Sequence, residues 1–195
     1  MKNEIVLLFG SFNPPTKAHV MISETLHRVV PKAEICYVIA NEEYISSWKG
    51  QEKILPMNIR GKLLLDAING KYASISLIEG SNVVDGKAYN TINHFKKKYG
   101  KVYVCLGVDN LIDFHKWYKY ENLLSENEFL IMFRGDVKIP EKYRHLKNMR
   151  FINFDCGDIS STKIREHYRK NSLDSIREDV PENVYEFLKE TKGVF

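Results

Sequence analysis

The sequence has 195 residues, of which 44% are hydrophobic and 28% are charged, and its formal net charge is +4. This length suits one folded domain with a substantial core, and this composition excludes an intrinsically disordered chain. The longest apolar runs, such as "EFLIMF", are too short to span a membrane, and the first residues lack the cleavage region of a signal peptide. We therefore expect one cytoplasmic domain over residues 1–195, without a membrane partner.

The cysteines and the basic residues indicate neither a metal site nor a nucleic-acid surface. Cys36, Cys105 and Cys156 lie far apart, without the paired spacing of metal ligands, and fit buried thiols of a reducing compartment. The basic cluster "HFKKKYGK" at residues 94–101 lies near the end of a predicted helix, where cations suit the helix dipole. A solvated helix end is favoured there over an RNA-binding surface, so we expect no nucleic-acid partner.

Short runs of apolar and β-branched residues predict strands along the whole chain. They cover residues 4–10, 34–40, 73–79, 102–108, 128–133 and 149–154. Segments with helical spacing lie between most of them, and this alternation is typical of a parallel sheet covered by helices on both faces.

The helical segments follow the strands in order. They begin at Lys17 and continue at residues 56–68, 89–99, 110–124, 161–170 and 181–190, whereas "NEEYISSWKGQEK" is treated as a loop. The last two predict a helical C-terminal tail. In an open parallel sheet, ligands bind at the carboxyl ends of the strands, so the turns that lead into helices are the places to inspect.

The stretch "GSFNPPTKAH", from Gly10 to His19, joins the first strand to a helix whose first turn is basic. Helix starts normally favour acidic side chains, because their free N–H groups make that end positive. Here Thr16 can cap the helix, and Lys17 and His19 follow it without an acid.

A second basic helix start follows the last strand, in "DCGDISSTKIR", where Lys163 and Arg165 follow Ser161 and Thr162. The helix at "EDVPENVYEF" has the usual acidic start, so this chain can build one. A bound phosphate chain explains both basic starts; the alternative is that the cations point into water. Neither a GxxxxGK[ST] loop nor a GxGxxG turn is present, which argues against a kinase or a classical dehydrogenase.

The same stretches resemble the signatures of a known enzyme superfamily. "GSFNPPTKAH" resembles G(S/T)FDPxHxGH and "ISSTKIR" matches ISSTxIR, both of the nucleotidylyltransferases. "LGVDNL", "YNTINHF" and Trp117 extend the resemblance, nearly end to end, to the nicotinate or nicotinamide mononucleotide adenylyltransferases. The resemblance implies a Rossmann-like, doubly wound parallel sheet and the Mg²⁺-assisted transfer of AMP from ATP to a pyridine mononucleotide, with release of pyrophosphate.

The resemblance also implies roles for individual residues. His19, Arg165 and Thr16 are the expected catalytic residues, of which Thr16 stands where the family often has its first histidine. The implied ATP site comprises Gly10, Ser11, Phe12, Thr16, His19, Gly107, Asp109, Ser161, Thr162 and Arg165. The implied pyridine nucleotide site comprises Lys49, chosen over Lys53 for the phosphate, with Tyr89, Asn90 and Trp117.

Each role has a structural alternative. His19 could act as a capping residue, Trp117 could be a packing residue of an aromatic cluster, and Asp109 could cap a turn instead of binding ribose or water-bound Mg²⁺. Two further departures from the family pattern are Asn13 in place of Asp and Ala18 in place of Gly.

The departures leave other functions open. The nearest alternative is a phosphopantetheine adenylyltransferase, followed by a catalytically silent nucleotide-binding module; a cytidylyltransferase is less favoured. The sequence does not separate nicotinate from nicotinamide as the pyridine, and it leaves the oligomeric state open.

Overall fold

Six parallel strands form one sheet in the computed structural model, which describes residues 3–49, 53–70, 72–134 and 138–195. The strands are β1 (Glu4–Gly10), β2 (Ala33–Ile39), β3 (Ser74–Ser76), β4 (Lys101–Gly107), β5 (Glu128–Phe133) and β6 (Met149–Asn153). Their order is β3-β2-β1-β4-β5-β6, and every neighbouring pair is parallel. The chain reverses its direction of winding between β1 and β4, where such sheets open a ligand crevice.

Helices connect the strands and continue beyond the last one. They are α1 (Lys17–Val29), α2 (Glu42–Lys49), α3 (Met57–Ile68), α4 (Ala88–Lys96), α5 (Asn110–Asp113), α6 (Tyr120–Glu126), α7 (Glu141–Arg144), α8 (Ser161–Arg169) and α9 (Glu182–Glu190). Short 3₁₀ turns cover Ile78–Gly80, Phe114–Lys116 and Leu173–Asp179.

The sheet is buried on both faces because its strands are almost continuously apolar. In β1, Ile5 and Leu7 join one core cluster, whereas Val6 and Leu8 join the cluster on the opposite face. This division follows from the alternation of side chains along a strand. A third apolar cluster packs the C-terminal helices α8 and α9 against α3.

The predicted α/β fold, its parallel sheet and its helical tail are confirmed. Three segments differ from the prediction. The strand predicted over residues 73–79 is confined to Ser74–Ser76, and a 3₁₀ turn at Ile78–Gly80 follows it. Residues 42–49, treated as a loop, form α2. The helix predicted over residues 110–124 is divided, because the fully buried Phe114 lies in a 3₁₀ turn and Lys119 adopts a positive φ of 52°.

Across the described residues, no helix is long and apolar enough to cross a membrane. The thiols of Cys36, Cys105 and Cys156 are buried and free.

Candidate functional site

A cavity of about 560 Å³ opens at the carboxyl ends of β1 and β4. Its walls come from the turn that follows β1, the end of β4, and the start of α8. Every residue of the expected ATP site lines it, and Trp117 lines it as well. Segments from both ends of the chain thus meet at the switch point of the sheet.

The turn after β1 is shaped by Phe12, whose φ is 48°. A Cβ atom at Gly10 would lie 2.6 Å from Cζ of Phe12, so the Phe12 ring packs directly over Gly10 and a larger residue there would displace it. The Phe12 ring then contacts the rings of His19 and Tyr37 edge-on, with centroids 5.0 and 5.4 Å away. Phe12 therefore orients the His19 imidazole on the cavity wall.

His19 is bonded to the residue that precedes its helix. Its Nδ1 accepts a hydrogen bond from the backbone N–H of Thr16 at 3.0 Å, and the Thr16 hydroxyl lies 3.1 Å from the same nitrogen. A nitrogen that accepts from a backbone N–H carries no proton, so the proton of this imidazole resides on Nε2. The capping alternative is thus realised, and it also fixes His19 as an Nε2–H donor.

The start of α8 is tied to the turn after β1. The Ser161 hydroxyl donates to the carbonyl of Pro14 at 2.8 Å. The buried Arg165 donates to the carbonyl of Asn13 at 2.7 Å and to the Thr162 hydroxyl at 3.1 Å. Burial lowers the pKa of Arg165, and the charge of Arg169 adds to that shift. A cation is thereby held at the junction of the two helix starts.

The lysines of the two basic helix starts both have acidic partners, one distant in sequence and one local. Lys17 pairs with Glu178 at 3.4 Å, and Lys163 pairs with Asp158. Within the described ranges, the residues that line the cavity do not include either lysine. The basic character of the site therefore comes from arginine and from backbone N–H groups, and the lysines lie at the surface.

Asn13, which replaces the family's aspartate, has a local role of its own. It is fully buried; its Nδ2 donates to the carbonyl of Lys53 at 3.3 Å, and its Oδ1 accepts from the N–H of Leu55 at 3.0 Å. A carboxylate could not make the first of these bonds. The Lys53 side chain contacts the carbonyls of Gly193 and Phe195 at 3.4 and 3.5 Å, on the C-terminal tail.

Three ionisable residues near the cavity were missed by the sequence analysis. Arg134, which follows β5, lines the cavity and donates to the carbonyls of Gly157 and Ile159 at 3.1 and 2.7 Å. Its position at a strand end was a usable signal. Arg60 is fully buried and donates to the carbonyl of Ser11 at 2.7 Å. Glu79, the third, is a buried carboxyl on the cavity wall.

The residues expected to bind the pyridine nucleotide are only partly brought together. Trp117 lines the cavity and packs edge-on against Phe114, with centroids 5.3 Å apart. Tyr89 contacts Glu126 and Asn90 bonds to Asp85, and neither is among the described residues that line the cavity. The backbone of Lys49 ends α2, but its side chain lies outside the described part of the chain.

Asp109 supplies a carboxylate at the end of β4. A Cβ atom at Gly107 would lie 2.4 Å from Oδ1 of Asp109, so the glycine makes room for the carboxylate. In the described residues, no group of three or more His, Cys, Asp or Glu side chains could hold a metal ion. One carboxylate fits a metal that keeps most of its water and arrives with substrate phosphates, as Mg²⁺ does.

Comparisons with known proteins show the family to which the chain belongs. A family model described as cytidylyltransferase-like matches residues 7–167. A "probable nicotinate-nucleotide adenylyltransferase" of Nitratiruptor sp. is 30% identical over 191 residues, which cover 95% of this chain and 99% of the relative. A relative of the same name from Acholeplasma laidlawii is 28% identical over 93% of this chain and 95% of its own.

Solved structures share the fold. The nicotinic acid mononucleotide adenylyltransferase of Plasmodium falciparum, complexed with NaAD, superposes with a TM-score of 0.80 at 22% identity, over 98% of this chain and 97% of that one. A putative nicotinate-nucleotide adenylyltransferase of Vibrio parahaemolyticus gives a TM-score of 0.65 at 19% identity, over 97% and 100%. The chain therefore belongs to the cytidylyltransferase-like family of nucleotidyltransferases, among the nicotinate-nucleotide adenylyltransferases.

Proposed function

We propose that this protein transfers AMP from ATP to nicotinate mononucleotide, giving the dinucleotide and pyrophosphate in NAD biosynthesis. The observation that carries this function is that two helix N-termini line the same cavity, and Arg165 joins them by its bond to the Asn13 carbonyl. Backbone N–H groups at helix starts and a fixed guanidinium form a site for a polyphosphate. The names of the relatives specify nicotinate as the pyridine.

The reaction needs positioning and charge neutralisation more than covalent chemistry. The mononucleotide phosphate attacks the α-phosphorus of ATP in line, and pyrophosphate leaves as negative charge builds on it. We assign His19 Nε2–H, Arg165 and the hydroxyls of Thr16, Ser161 and Thr162 to the ATP phosphates. Donors held in place before the reaction stabilise that charge without reorganising.

The remaining assignments concern the metal and the second substrate. Nucleotidyltransferases that use ATP generally need a divalent metal, and we propose Mg²⁺, which enters with ATP and is contacted through water by Asp109. Trp117 offers its ring face to the electron-poor pyridine, and Lys49 is proposed for the mononucleotide phosphate.

We further propose that residues 1–195 act as one domain in the cytoplasm. The free, buried thiols of its cysteines fit a reducing compartment. Its partners on this proposal are the two small-molecule substrates, and its assembly state is to be measured by light scattering.

The test is pyrophosphate release by the purified protein with ATP and Mg²⁺, using nicotinate mononucleotide, nicotinamide mononucleotide and phosphopantetheine in parallel. Preferential turnover of nicotinate mononucleotide supports the proposal. Turnover with phosphopantetheine alone assigns the chain to the alternative enzyme. ATP binding without any turnover identifies a silent module.

A further inference from the structure

Glu79 is a buried carboxyl that the adenylyl transfer described above does not use. It lies in the 3₁₀ turn after β3, is 5% exposed, and lines the cavity together with Tyr44, Ala88 and Trp117. In the part of the chain that the structure describes, it is the one buried acidic side chain, and no ion pair there involves it. An unpaired acid in a ligand cavity is costly to bury and is therefore a candidate for function.

The surroundings of Glu79 favour the protonated form of its carboxyl group. The Thr91 hydroxyl of α4 contacts Oε1 at 3.2 Å, and the negative charge of Asp85, itself paired with Lys87 at 2.9 Å, also acts on Glu79. Burial raises the pKa of Glu79 to about 8; the Thr91 hydrogen bond opposes this shift and the charge of Asp85 adds to it. Burial raises the pKa of Tyr44 on α2, and the charge of Glu79 adds to that shift.

Other titratable groups face the same cavity from its remaining walls. His19 stands on α1, Asp109 at the end of β4, Arg134 after β5 and Arg165 on α8. They line the same space, but among the described residues Asp85 is the charged side chain that shifts the pKa of Glu79. The pKa of Glu79 is thus determined by its burial, by the Thr91 hydrogen bond and by the charge of Asp85.

The protonation state of Glu79 matters for a pyridine bound against Trp117, a placement that rests on the proposed function. A neutral carboxyl can donate its O–H to the carboxylate of nicotinate, whereas an ionised one repels that carboxylate in a cavity of low dielectric. A carboxamide can donate its own N–H to ionised Glu79. We propose that Glu79 determines pyridine specificity: its neutral carboxyl admits the nicotinate carboxylate, and its ionised form discriminates against it.

Two variants separate this role from simple support of α4. Glu79→Gln keeps an acceptor for the Thr91 hydroxyl and removes the titration. Thr91→Val removes the hydrogen bond and leaves the acid in place; Thr91 is buried, and the described cavity wall does not include it. A purely structural Glu79 would make both variants change the KM of both mononucleotides equally.

The experiment measures the KM for nicotinate and for nicotinamide mononucleotide, by pyrophosphate release, from about pH 6 to about pH 9.5. Both substrates carry the same titrating phosphate, so the ratio of their KM values cancels it. In the wild type, the ratio of the nicotinate KM to the nicotinamide KM should be flat at low pH and rise by up to about tenfold per pH unit above the pKa of Glu79.

The variants complete the test. Glu79→Gln should give a flat ratio, and Thr91→Val should keep the rise but move it to higher pH, because the lost bond favoured the ionised form. A flat wild-type ratio, or an unchanged rise in Glu79→Gln, overturns the proposal. Calorimetric titration with each mononucleotide alone gives the ratio of the two dissociation constants, which does not depend on turnover. If the protein binds the mononucleotides but releases no pyrophosphate, the proposed reaction is refuted, and the pH dependence of this ratio still tests Glu79. Absence of binding by both mononucleotides refutes the two proposals together.

Discussion

The guanidinium of Arg165 donates to the carbonyl of Asn13 across 2.7 Å, although the two residues are 152 positions apart in sequence. Asn13 lies in the turn after β1 and Arg165 in the first two turns of α8, so this bond joins the two helix starts. A second N–H group of Arg165 reaches Thr162 at 3.1 Å. The proposed phosphate site thus has a cation whose position is fixed by the fold.

Replacement of Arg165 should therefore affect turnover strongly. We expect Arg165→Ala to lower kcat by about 10²-fold, the loss typical of one missing transition-state donor. Arg165→Lys should recover little, because an ammonium group lacks the planar fork that reaches both acceptors. Steady-state kinetics with ATP and nicotinate mononucleotide measures this, with Arg169→Ala, an exposed change on the same helix, as the control. Near-normal kcat in Arg165→Ala would remove it from the mechanism.

His19 combines capping and phosphate binding, and two variants distinguish them. His19→Ala should lose about 10²-fold in kcat and about 0.5–1 kcal/mol of stability, since both the Nε2–H donor and the cap disappear. His19→Glu restores the side chain that capping boxes favour at this position but is negative. It should keep the wild-type Tm and still lose turnover. An inactive Ala variant beside an active Glu variant would show that capping alone matters.

The apolar runs in the sequence predicted most of the fold. The strands β1, β2, β4 and β5 are buried on both faces, so nearly all of their residues are apolar. The division at Phe114 was not predictable from helical spacing, because a long-range contact with the core decides it. The two motifs for which phosphate binding is proposed are local in sequence, and the sheet brings them to one cavity. The ion pair of Lys17 with Glu178 and the burial of Glu79 depend on tertiary contacts that a linear pattern does not contain, whereas Asp158, the partner of Lys163, lies only five residues away in sequence.

Asn13 should resist the change to the aspartate that its family usually has. In Asn13→Asp, a buried carboxylate would face the Lys53 carbonyl, to which the amide now donates. We expect a loss of about 1–3 kcal/mol in the free energy of unfolding, typical of a buried polar group left without its partner. Urea denaturation measures the change, and Asn13→Ala, which removes both side-chain bonds, is the comparison. An Asp variant as stable as the wild type would show that this hydrogen bond is dispensable.

Trp117 can be tested against a residue that shares its packing but not its place in the cavity. Trp117 and Tyr120 both contact the Phe114 ring edge-on at 5.3 Å, and of the two only Trp117 lines the cavity. Trp117→Ala should raise the KM for nicotinate mononucleotide by about tenfold, because a stacked ring contributes about 1–3 kcal/mol, with little effect on the KM for ATP. Tyr120→Ala should lower Tm without this selectivity. Equal changes in both KM values would assign Trp117 to packing.

The raised pKa of Glu79 also predicts how the free energy of unfolding depends on pH. The folded state holds its proton up to a pKa of about 8, against 4.5 for the ordinary carboxyl, because burial disfavours the charged form. The unfolded chain therefore releases the proton first as pH rises. Its contribution to stability is complete below the unfolded pKa and is lost progressively towards the folded pKa, by up to about 1.4 kcal/mol per pH unit. Glu79→Gln does not titrate, so its unfolding free energy from urea denaturation should fall less steeply than that of the wild type between about pH 5 and pH 8. Parallel curves for the two proteins would mean that Glu79 is already ionised in the folded state, and the cavity would then carry a permanent negative charge beside the pyridine.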